Sequence, residues 1–97
     1  MSTEKLLKTA SFIRYEAIID GQKAANIDYL SDQINRIAPR IEEYEIKINN
    51  NQDPRGFASR GLARCQNELA KFVGMLEDIV NGILSNRPGL AAQVANI

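Results

Sequence analysis

The sequence predicts an all-α protein: an antiparallel, coiled-coil-like helical hairpin completed to a three- or four-helix bundle by a further helix or by homodimerisation. Three observations predict this. Apolar residues recur in alternating steps of three and four along two segments, first Ile27, Leu30, Ile34, Ile37, Ile41, Tyr44 and Ile48, then Ala58, Leu62, Cys65, Leu69, Phe72, Leu76, Ile79 and Ile83. That period keeps a stripe on one face of a helix. The two stripes also mirror each other about residue 53, so that Ile48 and Ala58, Tyr44 and Leu62, Ile41 and Cys65, Ile37 and Leu69, Ile34 and Phe72, Leu30 and Leu76, and Ile27 and Ile79 are each equidistant from it. Finally, aromatics make up only 6% of the chain and there are three prolines, which suits helices better than strands built from β-branched and aromatic residues.

Residues 3–20 form the expected N-terminal helix. Leu6, Ala10, Ile13 and Ala17 make one stripe, with Leu7, Phe12, Tyr15, Ile18 and Ile19 around it, and such a face needs cover. The matching apolar surface lies at the open end of the hairpin, where Val73, Met75, Val80 and Leu84 widen the second stripe. Asp20-Gly21 reads as a helix stop. The alternative is one unbroken helix from about Thr3 to Asn49, roughly 70 Å long at 1.5 Å per residue, whose N-terminal half would be buried only in an intertwined dimer.

The first arm of the hairpin is expected over residues 22–49. Pro39 interrupts it at the most exposed heptad position, where we expect a bend. Asn49 to Asn51 are weak helix formers that accept left-handed backbone and so end the arm. Asp53 is expected to be the N-cap of the second arm, residues 54–86, with Pro54 at its first position, where no amide is needed. Arg87-Pro88-Gly89 closes that arm. Residues 88–97 then carry Leu90, Val94 and Ile97 on one edge, a short helix or tail that is not stable alone. We expect residues 1–97 to form a single helical domain.

Twelve basic and twelve acidic side chains cancel, so no net field draws the chain to a polyanion or an anionic membrane. Histidine is absent and Cys65 is the lone cysteine. The commonest general base, a Cys-His metal site and an intramolecular disulfide are therefore all missing. Lys8, Thr9, Ser11 and Arg14 break up the N-terminal apolar residues, so we expect neither a signal peptide nor a membrane span, and a cytoplasmic protein.

No pattern points to catalysis, a cofactor or a metal. Cys65 falls on the seam with no histidine to activate it and reads as a small buried hydrophobe. Glu42, Glu43 and Glu45 point to different sides of a helix and read as a solvated face. Gly61 and Gly82 share an edge with Met75, which marks either a close helix approach or a tolerated imperfection. We therefore expect a non-enzymatic interaction module (adaptor, chaperone, assembly subunit or inhibitor), homodimeric, that binds another protein through Phe12, Tyr15, Met75, Leu84, Leu90, Val94 and Ile97. The alternative is a dimeric RNA- or DNA-binding regulator using Arg55, Arg60 and Arg64, with Arg36 and Arg40 across the hairpin. Such a cluster could contact RNA or phosphate as helical-hairpin dimers of the plasmid copy-control type do, although no family resemblance extends across the chain. Neighbouring Glu42, Glu43, Glu45, Asp53 and Glu68 neutralise much of the cluster, and Arg40 is expected to pair with Glu68, so nucleic acid ranks second.

Overall fold

Each helix starts and stops where the local sequence supplies partners for its unpaired backbone groups. The computed structural model describes residues 2–97, among which lie four helices and no strand: α1 (Thr3–Glu16), α2 (Gly21–Asn49), α3 (Phe57–Ser85) and α4 (Pro88–Val94). Ser2 caps α1, its hydroxyl accepting from the Lys5 amide at 3.2 Å. The helix ends at Glu16, four residues short of the expected limit, where Ala17 turns extended.

The break, at residues 17–20, lies just before the expected place and has a different cause. Asp20 does not stop α1; it starts α2, accepting from the Lys23 amide at 2.9 Å. Gly21 is then simply the first helical residue and has no left-handed backbone to supply. The long unbroken helix is excluded. α2 is continuous helix through Pro39.

The asparagine run ends α2 as expected, and its hydrogen bonds show how. Asn51 takes φ 56, the Gln52 amide donates back to the Lys47 carbonyl at 2.8 Å, and the Asn51 amide to that of Ile48 at 3.1 Å. These two bonds make a Schellman C-cap with asparagine in the left-handed position that glycine usually fills.

The start of α3 corrects the sequence expectation. Pro54 is not in the helix; residues 53–56 form a turn in which the Gly56 amide donates to the Asp53 carbonyl at 3.3 Å and Gly56 takes φ 70. The Asp53 carboxylate reaches across this turn to the amides of Ala58 at 2.8 Å and Ser59 at 3.1 Å. Asp53 thus satisfies the second and third amides of α3, but from outside the helix, because left-handed Gly56 moves the start downstream.

α2 and α3 share the most extensive interface in the molecule, and they run antiparallel: the Tyr44 ring lies beside Gly61 near the turn, while Tyr29 meets Phe72 further along. α1 packs against both at the open end. The core joins Leu6, Ala10 and Ile13 of α1, Ile27, Leu30 and Ile34 of α2, Leu76, Val80 and Ile83 of α3, and Val94 of α4, all buried. Phe72 packs on this cluster, and its ring meets Tyr29 of α2. Towards the turn, where only two helices meet, Ile41, Tyr44, Ile48 and Leu62 are half-buried.

Among the described residues Thr9 is the one polar side chain in the core, and its hydroxyl has no hydrogen-bond partner there. With two 29-residue arms, each about 43 Å long at 1.5 Å per residue, the molecule measures 52 × 26 × 18 Å, with a radius of gyration of 16.2 Å. A compact chain of this length has about 12.5 Å.

Candidate interaction surface

Large apolar side chains left in solvent collect in four places. The first is the corner between α1 and α2. Arg14 Nε donates to both carboxylate oxygens of Asp28 at 3.1 Å, tying the end of α1 to α2, although an exposed pair of this kind contributes under about 1 kcal/mol. The same guanidinium lies 5.6 Å from the Tyr15 ring centroid. Tyr15 is 77% exposed and Ile18, in the linker, 89% exposed. Beside them, Ser11, Arg14, Tyr15, Asp28 and Ser31 border a shallow depression of about 240 Å³.

The second place is the side of the hairpin opposite α1. Tyr29 and Phe72 meet edge to face with centroids 6.3 Å apart. Tyr29 is 56% and Met75 45% exposed, with half-buried Ile79 near them on α3. The third is the turn, where Ile46 and Phe57 are exposed. The fourth is the C-terminal residue, Ile97.

The expected partner-binding residues therefore do not form one patch. Tyr15, Met75 and Ile97 are exposed; Phe12, Leu84 and Leu90 lie half-buried against the core. Val94 is part of the core itself, because α4 folds back and docks through it, which takes it out of any free surface. Sequence reasoning gave Ile18, Tyr29 and Phe57 no place among the contact residues. Each is a large apolar residue outside the stripe of its helix: Ile18 beyond the last turn of α1, Tyr29 on the outer edge of α2, and Phe57 one residue before the stripe of α3.

The arginines at the turn have definite settings. Arg60 lies over the Phe57 ring, 4.9 Å from its centroid, and donates to the Arg55 carbonyl at 3.2 Å. Arg64 borders a depression of about 360 Å³ with Tyr44, Lys47, Pro54 and Phe57. Among the described residues Arg40 and Glu68 form no ion pair; Arg36 pairs with Asp32 at 2.9 Å and Lys47 with Glu43 at 3.6 Å.

Asp53 has a perturbed carboxyl. The Ser59 hydroxyl, donating at 2.6 Å, holds its pKa below the ordinary carboxylate range. Burial opposes this, and the amides of Ala58 and Ser59 and the charge of Arg60 reinforce it. These donors belong to the helix cap, so the shift is a structural one. The Cys65 thiol is buried. Among the described residues no three Cys, Asp or Glu side chains come together as a metal site would require, and no helix is long and apolar enough to cross a membrane. No family model, curated protein or solved structure matches the chain.

Proposed function

We propose that this protein is a non-enzymatic interaction module that binds another protein through apolar residues left outside its core. The observation that carries this reading is the α1–α2 corner. One face of α1 is fully buried through Leu6, Ala10 and Ile13, while Tyr15 and Ile18 stand in solvent, Tyr15 beside the Arg14 guanidinium that pairs with Asp28. Burying Ile18 alone in a partner contributes roughly 1.5–3 kcal/mol. The non-enzymatic part of the proposal rests on the absence of histidine from the chain and on the burial of its one thiol.

A second reading, nucleic-acid binding at the turn, has one observation in its favour: the exposed pair of Phe57 and Arg60, a ring and a guanidinium of the kind on which bases stack. Zero net charge weighs against it. One experiment separates the two. The immobilised full chain is expected to retain a stoichiometric protein from host lysate, and the Tyr15→Ser/Ile18→Ser variant to lose it without a change in melting temperature. Recovery of RNA instead, with steep salt dependence abolished by changing Arg55, Arg60 and Arg64 to alanine, would overturn the first reading in favour of the second.

A further inference from the structure

We propose that the open side of the hairpin pairs with the same side of a second copy of this chain, α3 packing antiparallel on its symmetry mate across Met75. The proposal rests on the interaction-module reading and assigns this surface an occupant, leaving the α1–α2 corner for a different protein.

The first argument is area. The chain exposes 6404 Å², whereas a compact monomer of its mass exposes about 5,500 Å². The excess, about 900 Å², is spread over an elongated molecule, and it leaves room for the roughly 800 Å² that each partner contributes to a standard interface.

The second argument is place. α1 covers one side of the hairpin, the side of Asp28, Ser31 and Val80. The other side has no such cover, and there the Tyr29–Phe72 pair, Met75 and Ile79 lie together near the middle of α3.

The third argument is charge, and it selects a second copy over an unrelated protein. Glu68, Lys71, Met75, Asp78 and Gly82 follow one another along α3 in steps of three and four, a second seam beside the one that faces α2. Among the described residues Lys71 and Asp78 join no ion pair, although five other pairs form. The two lie equally far on either side of the Gly74–Met75 peptide bond. A two-fold axis there sets each Lys71 against Asp78 of the second copy, twice, around a Met75–Met75 contact, as an isologous interface requires. A parallel arrangement would oppose Lys71 to Lys71. Gly82 presents no side chain to hold the helices apart, and a Cβ built on it meets nothing within 4 Å.

The test is sedimentation equilibrium of the full chain with a charge-swap series. The wild type is expected at twice its 10.8 kDa chain mass. Lys71→Glu and Asp78→Lys each weaken association about tenfold or more, and the double variant Lys71→Glu/Asp78→Lys restores it. Both side chains are exposed and unpaired within the chain, so a merely structural role predicts no such rescue. Oxidised Met75→Cys is expected to form a disulfide-linked dimer, which the wild type, with Cys65 buried, and Asn67→Cys do not; circular dichroism confirms that each variant folds.

A wild type that stays monomeric up to its solubility limit overturns the proposal. So does a dimer indifferent to the swaps and to Met75→Cys, because it uses another surface. Neither result touches the corner, whose capture assay is separate.

Discussion

Replacing Gly61 with alanine builds a Cβ 2.6 Å from Tyr44 Cζ, 2.8 Å from Cε1 and 2.9 Å from the phenolic oxygen. Non-bonded carbons prefer 3.5–4.0 Å, so the ring must move by about 1 Å. An alanine inside a helix is otherwise worth about 1 kcal/mol over glycine. The same change at Gly74, where a Cβ meets nothing within 4 Å, is expected to deliver that gain in full. At Gly61 the gain is opposed. Either the half-buried Tyr44 ring swings into water and loses roughly 1 kcal/mol of burial, or the helices spread at the turn end at an overpacking cost of about 1–3 kcal/mol. Gly61→Ala should therefore lie about 1–3 kcal/mol below Gly74→Ala in stability, between neutral and destabilising by about 2 kcal/mol. Urea unfolding followed by circular dichroism, at a protein concentration low enough that each variant sediments as a monomer, measures the difference. The decisive comparison is a double-mutant cycle. Once Tyr44 is alanine, Gly61→Ala should stabilise by about 1 kcal/mol, as at Gly74. Were Gly61→Ala to stabilise as much as Gly74→Ala with Tyr44 present, the packing of α2 on α3 near the turn would not be as described.

Thr9→Val replaces an orphaned core hydroxyl with a methyl group of the same shape, and should raise stability by about 1 kcal/mol, or about 4–8 °C in a thermal melt. Leu76→Ala empties a fully buried site where three helices meet and should cost about 2–5 kcal/mol, whereas Ile46→Ser, at an exposed position, should stay within about 0.5 kcal/mol of the wild type in the same melts. Acid should loosen the turn. The Asp53 carboxyl titrates lower in the folded chain than in the unfolded one, so its contribution is complete above the unfolded carboxylate range and is lost as pH falls below about 4. Asp53→Asn, which keeps an oxygen acceptor but does not titrate there, should show a shallower fall in melting temperature below that pH.

The all-α class, the two arms and their turn were legible because they follow from local chemistry: period, an asparagine run, and an aspartate able to bond amides. Some boundaries were not. Nothing local distinguishes an Asp53 that begins a helix from one that caps it across a turn; the difference lies in Gly56 taking positive φ. Gly61 shows the same limit. Its place on the helix edge was visible in the sequence, but the reason for it, a tyrosine ring from the other arm, belongs to the packing.

The candidate surface was less legible than the fold. Which apolar residues lie outside the stripes is a property of the sequence, but whether they are covered depends on where α1 and α4 come to rest. α4 docks and takes Val94 into the core, while α1 settles on one side of the hairpin and leaves Tyr29 and Met75 in solvent. Periodicity gives the direction of a side chain around its own helix axis and therefore determines the hairpin. Exposure depends on what arrives from elsewhere in the chain, and only the tertiary structure decides that.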